Sequence, residues 1–114
     1  MSYLIELQSP EDLELLKETS RNKAQLIFKH STRCMTSSMA LNRINQKEIT
    51  AFNADCYILN VIRKRDISNK VEKDFGVMHE SPQLLIIKDG KCMYNESHSA
   101  IRLAEIENVL TQLN

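Results

Sequence analysis

Residues 24–37 read AQLIFKHSTRCMTS, an apolar run that gives way to a polar turn and then to a cysteine. The run at 24–29 is compact and apolar, as in a strand buried on both faces of a sheet. Residues 30–33 form a connection, and residues 34–50 are expected to form a helix with Met35, Met39 and Ile44 turned to the core. Cys34 therefore stands at the carboxyl end of a central strand and at the start of a helix. Open α/β sheets place their ligand sites at that end. A sulfur there meets unpaired backbone N–H groups and the positive end of the helix dipole, and both favour thiolate over thiol. Lys29, His30 and Arg33 bring positive charge to the same stretch.

Working outward, the rest of the chain supplies alternating strands and helices. Residues 3–7 read as a short strand. Ser9-Pro10-Glu11-Asp12 is a helix start: Ser9 caps, Pro10 suits the first helical position, and the two acids favour the positive helix end. Leu13 and Leu16 continue that helix to about Thr19. Beyond the cysteine, residues 56–62 (CYILNVI) form a second buried strand. Asp66 opens a helix in which Ile67, Val71 and Phe75 fall on one face, and Gly76 suits its end. Residues 84–88 (LLIIK) form a strand, Asp89-Gly90 a two-residue hairpin turn, and residues 91–96 the antiparallel partner. Ser97 or Ser99 is expected to cap a last helix carrying Ile106, Val109, Leu110 and Leu113.

The resulting order is β-α-β-α-β-α-β-β-α. Alternation in the first part implies parallel strands joined by helical crossovers, and the closing hairpin adds antiparallel strands to the same sheet. The expected architecture is α/β, a five-stranded mixed sheet flanked by four helices. This is the thioredoxin fold, as one thioredoxin-like domain over residues 1–114.

Bulk properties narrow the function. The chain has 114 residues, enough for a single self-sufficient core. Acidic and basic residues balance at 15 each, so no global basic excess exists to neutralise phosphates, and nucleic acid is not an expected partner. The first residues show no basic stretch leading into a long apolar run, and no window approaches the ~20 apolar residues of a membrane span. The expected location is the cytoplasm, with no membrane partner. Three cysteines, Cys34, Cys56 and Cys92, are odd in number and widely spaced, which fits neither a disulfide scaffold nor a zinc site.

Cys34-x-x-Ser37 at a helix start, Ser81-Pro82 before the LLIIK strand, and the Asp89-Gly90 hairpin together resemble thioredoxin-like proteins over nearly the whole chain. The segment Phe28-Lys29-His30-Ser31-Thr32 before the cysteine resembles the monothiol bacilliredoxins more specifically. That resemblance implies an enzyme that removes bacillithiol from protein mixed disulfides. It carries Cys34 over as the nucleophile. It also makes Pro82 the cis-proline that faces the cysteine, and Ser81 the residue offering backbone hydrogen bonds to an extended substrate. Partners would be bacillithiolated proteins; bacillithiol itself would be a co-substrate, with no bound cofactor.

The chain departs from the related patterns at three places. Ser37 occupies the position of the second thioredoxin cysteine. Met35 stands where many monothiol members carry proline. Phe28 stands where thioredoxin buries an acid, so no proton relay runs through that position. With one thiol, Cys34 would take up bacillithiol from the target protein, and a second thiol from solution would release it. Ser37 would either hydrogen-bond the thiolate or serve as a small helix residue. Bacillithiol carries a malate group, so Arg33 and Lys29 are candidate carboxylate partners; the alternative for Lys29 is a solvated surface charge. His30 could tune Cys34 or be structural. Cys56 and Cys92 read as structural, since burial among apolar groups raises a thiol pKa.

Other functions suit the same fold. A non-catalytic thioredoxin-like binding module would carry an inert Cys34. A monothiol glutaredoxin-like iron–sulfur cluster carrier would want glycine after the cysteine, where this chain has Met35. Arsenate-type reduction would want further thiols close by.

Overall fold

The structure is a computed structural model that describes residues 3–44 and 46–113. In chain order the elements are β1 (Leu4–Glu6), α1 (Pro10–Thr19), β2 (Ala24–His30), α2 (Met35–Arg43), α3 (Gln46–Ala51), β3 (Ala54–Asn60), α4 (Arg65–Phe75), β4 (Gln83–Lys88) and β5 (Lys91–Ser97). A 3₁₀ turn (His98–Ala100) and α5 (Leu103–Leu113) follow. One sheet carries all five strands in the order β1-β3-β2-β4-β5. β1, β3 and β2 run parallel, while β4 is antiparallel to both β2 and β5. This is the thioredoxin-type mixed sheet expected from the element order. Among the described residues no helix is long and apolar enough to cross a membrane.

β2 sits at the centre, and its sequence explains why. Every residue from Ala24 to Lys29 is buried, because helices cover both sides of the strand. Leu26 and Phe28 face one layer, where they meet Ala40 of α2, Ile49 of α3, and Ile106 and Leu110 of α5. Ile27 faces the other, with Leu13 and Leu16 of α1 and Ile67 and Val71 of α4. Each of the leucine, isoleucine, valine and phenylalanine side chains contributes roughly 1.5–3 kcal/mol by leaving water.

Local signals set the boundaries. The Ser9 hydroxyl accepts the Asp12 N–H at 3.1 Å and starts α1, with Pro10 in its first turn. Gly76 ends α4 in the left-handed region, at φ +67°. Asp89 and Gly90 both have positive φ, as the tight hairpin turn requires. That turn is docked from afar: the Asp89 N–H donates to the Ser20 carbonyl and the Gly90 N–H to the Ser20 hydroxyl, both at 2.9 Å.

Three expectations are corrected. The helix expected over residues 34–50 is two helices, so five helices flank the sheet rather than four. Ile44 leaves the helical conformation (ψ 137°) and is buried in the core; Asn45 lies outside the described residues. Met35 and Met39 are not core residues: they are 79% and 56% exposed, because Ser37 and Ala40 form the inward face of α2. Neither Ser97 nor Ser99 caps the last helix. The chain makes a 3₁₀ turn first, and α5 begins only at Leu103, where the Ile106 N–H reaches the Arg102 carbonyl.

Candidate active site

β2 ends at His30, and residues 31–34 turn the chain into α2. Cys34 is the N-cap of α2. Its backbone is extended, its carbonyl accepts the Ser38 N–H, and its own N–H donates to the Ser31 carbonyl, both at 3.2 Å. The residue is half-buried. As at any helix start, the next N–H groups have no intrahelical acceptors, and the dipole presents its positive end. Arg33 beside it is exposed.

Ser37, one turn into α2, is fully buried. Its hydroxyl oxygen lies 2.7 Å from His30 Nδ1 and accepts the Ser31 N–H at 3.1 Å. Because Ser31 in turn accepts the Cys34 N–H, these bonds tie strand end, turn and helix start into one unit. Burial lowers the pKa of His30 and favours its neutral ring.

The Ser81–Pro82 bond is cis, as the resemblance implied. Lys29 pairs with Gln83 across β2 and β4, which sets Pro82 beside the His30 end of β2. Pro82 is buried, and its carbonyl accepts the His98 N–H at 3.0 Å. The His98 carbonyl accepts from Arg43 Nη2 at 3.0 Å, and Arg43 Nε donates to the Ile101 carbonyl at 3.2 Å. Arg43 belongs to α2, so a hydrogen-bonded path joins the helix that starts at Cys34 to the Pro82 segment. The sequence offered no sign of Arg43 or His98 in this role, since their partners are main-chain carbonyls set by tertiary contact. The Ser81 hydroxyl is buried without a partner among the described residues.

A sequence profile of the monothiol bacilliredoxin BrxC matches residues 5–106. The chain belongs to the monothiol bacilliredoxin family. A solved structure described as a candidate oxidoreductase with a thioredoxin fold is 30% identical, covers 93% of this chain and 92% of its own, and superimposes with a TM-score of 0.82. Thioredoxin NaTrxh from Nicotiana alata is 21% identical with a TM-score of 0.75, over 97% of this chain and 92% of its own. Schistosoma mansoni thioredoxin is 22% identical with a TM-score of 0.72, over 99% and 100%. The latter two show the fold alone; with the family match, the fold supports a thiol redox role.

The other two cysteines of this bacilliredoxin sit in environments hostile to a thiolate. Cys56 is fully buried in β3, and burial, with the Asp55 charge beside it, pushes its thiol up to about 12. Cys92 on β5 is half-buried, its Sγ lies 3.3 Å from the Tyr94 carbonyl, and burial raises its pKa.

Lys29 is neither a surface charge nor placed to meet a ligand at the Cys34 turn. It is fully buried and follows Phe28 with the opposite orientation, towards α4 rather than α2. Its Nζ lies 3.2 Å from His79 Nδ1, and the Ser68 hydroxyl lies 3.3 Å from the same nitrogen. An ammonium only donates, so Nδ1 accepts, and the His79 ring is neutral. Burial pulls Lys29 down to about 8; burial first, then the Lys29 charge, lowers His79.

Proposed function

We propose that this chain is a monothiol thiol–disulfide oxidoreductase that removes bacillithiol from protein mixed disulfides through Cys34. The observation that carries the reading is the half-buried Cys34 at the N-cap of α2, in a chain whose Cys56 and Cys92 are both pushed towards the protonated thiol. Family membership supports bacillithiol as the thiol removed.

In the first step the Cys34 thiolate attacks the bacillithiol sulfur of the mixed disulfide. The protein–bacillithiol S–S bond breaks, a Cys34–bacillithiol S–S bond forms, and the target protein leaves as its thiolate. In the second, a thiolate from solution attacks the bacillithiol sulfur of that adduct and regenerates Cys34. Ser37 supplies no local thiol for the second step. In this reading Arg33 lies on the approach to Cys34. Ser81 offers backbone hydrogen bonds to the substrate protein, Pro82 faces Cys34, and residues 1–114 act as one unit. The cytoplasm, where thiols are kept reduced, is the compartment in which this cycle runs.

Mass spectrometry of the reduced chain mixed with a bacillithiolated protein is the direct test. The expected product is a bacillithiol adduct on Cys34 together with a reduced target. An adduct on Cys56 or Cys92 instead, or no transfer, overturns the reading.

A further inference from the structure

Between the end of α4 and the start of β4 the chain has no regular structure, and residues 77–80 lead directly into Ser81–Pro82. Among the described residues, 77–80 make no backbone-to-backbone hydrogen bond; side chains hold them. Glu72 accepts the His79 N–H, Gln83 Nε2 donates to the Met78 carbonyl at 2.9 Å, and His98 Nε2 lies 3.0 Å from Glu80 Oε1. From within the sheet, Lys29 Nζ reaches His79 Nδ1 at 3.2 Å.

That last contact is made at the expense of stability. Lys29 and Ser68 are buried, while His79 is exposed with its Nδ1 turned inward to both. Lys29 forms no ion pair among the described residues, and its partner is a neutral ring. A buried ammonium without a counter-ion weakens a fold, and an apolar side chain of similar size would not. Packing therefore does not account for the amine, whereas the contact does: it is a donor aimed from the sheet at the segment that precedes Ser81–Pro82.

We infer that His79 is a positioning residue: as the acceptor for Lys29 it seats residues 77–80, and with them Ser81–Pro82, for the substrate protein, and protonation of its ring unseats them. The inference deepens the function proposed above and rests on the use of Ser81–Pro82 there. A protonated imidazole has no lone pair for Lys29 and sets a second cation against the first. The groups around the ring are Lys29 on β2, Arg65, Ser68 and Glu72 on α4, and Glu80 beside it in the chain, itself paired with His98. Arginine stays charged and carboxylates ordinarily titrate at about 4, which leaves imidazole as the side chain that changes between pH 7 and 5.5. Protonation of His98 would tighten its pair with Glu80, the opposite effect. Burial first, then the Lys29 charge, lowers the His79 pKa in the seated segment, and an unseated ring returns towards 6.5. The unseated segment therefore takes the proton first, and seating is lost as pH falls below about 6.5.

Hydrogen exchange of the His79 backbone N–H, the donor to Glu72, reads the seating with no substrate present. From pH 7 to 5.5, after correction for intrinsic exchange, wild type should lose protection severalfold, with a ceiling of about eightfold set by one ring that titrates near 6.5 when free. His79→Asn keeps an acceptor near the place of Nδ1 and cannot take up the proton, so its protection should be the same at both pH values. His79→Leu removes the acceptor and should be poorly protected at both. In the transfer reaction, the KM for a bacillithiolated protein should rise severalfold over the same window in wild type relative to His79→Asn, a comparison that cancels the titration of Cys34. Wild-type protection that stays level or rises as pH falls, or an equal loss in His79→Asn, overturns the proton-dependent seating. Protection that falls in wild type alone with no change in relative KM overturns the positioning role. Absence of transfer at both pH values overturns the bacillithiol reading and the positioning role with it, while protection that still falls in wild type alone upholds the seating.

Discussion

Ser37 Oγ lies 2.7 Å from His30 Nδ1, a contact that joins the first turn of α2 to the last residue of β2. The same oxygen accepts the Ser31 N–H. The residue three after Cys34 thus fastens the turn that carries the thiol. This fastening stands beside the two roles that the sequence left open for Ser37.

Ser37→Ala should accordingly weaken the fold and misplace the thiol. It strips a part-buried N–H and a ring nitrogen of their partner, at a cost of about 1–3 kcal/mol. Thermal or urea unfolding would register the loss, and transfer to Cys34 should slow with it. Unchanged stability would mean that the His30–Ser37 contact contributes nothing.

Ser37→Cys should behave differently. The two sulfurs start on one side of the first helical turn. The introduced thiol should attack the Cys34–bacillithiol bond from within, at high effective concentration. Wild type without a second thiol should stop at the adduct; the variant should release bacillithiol and accumulate an internal disulfide, readable as an intact mass two hydrogen atoms below that of the dithiol. Sulfur is a poorer acceptor than oxygen, so the variant should also be less stable than wild type. Clearance of the adduct by wild type alone would reveal another resolving group.

Cys34→Ser should abolish transfer, whereas Cys56→Ala and Cys92→Ala should leave most of it. Burial separates those two: Cys56 is enclosed in the core, so its truncation should cost about 1 kcal/mol or more, and half-buried Cys92 less. Activity retained in Cys34→Ser would overturn the proposed mechanism.

Lys29→Met tests the buried charge. Folding depresses Lys29 from 10.5 to about 8, so between those values the unfolded chain holds a proton that the folded chain has released. Stability from this group therefore rises with pH through that window, and below it the buried charge costs on the order of 2–3 kcal/mol. The methionine variant should be more stable than wild type at pH 7, and its advantage should shrink as pH climbs from about 8 to 10.5. The difference between the two proteins is the proper readout, since buried Cys56 and half-buried Tyr57 and Tyr94, with raised pKa values, pull the other way at high pH. A constant difference across the window would show that Lys29 keeps its ordinary pKa.

Met35→Ser should leave stability within about 0.5 kcal/mol, as for other exposed positions. Met35 is 79% exposed and follows Cys34 directly. A large loss of stability on substitution would place it in the core after all.

Periodicity and turn chemistry made most of the fold legible. The apolar runs of β2 and β4, the Ser9-Pro10 start of α1, Gly76 and the Asp89-Gly90 turn each carry a local physical signal, and each held; the run at 56–62 marked β3, which the structure places two residues earlier, at Ala54–Asn60, and buries only in part. The misreadings arose where several faces compete for one helix. Met35, Met39 and Ile44 looked like a core stripe, but Ser37 and Ala40 allow close approach to the sheet and so take the inward face. Ile44 then reaches the core only by leaving the helix.

By itself the sequence determined the chemistry at hand: one thiol at a strand-to-helix turn, no second thiol three residues later, and a proline before the β4 strand. These depend on residue type and short spacing, which local rules read directly. Only the tertiary structure decided what surrounds that thiol. It turned Lys29 to the far face of the sheet and gave Ser37 to His30. It joined α2 to Pro82 through Arg43 and His98. The reason is physical: a strand's register decides which face a side chain occupies, and register is set by pairing with β3 and β4, distant segments whose contacts no local pattern encodes.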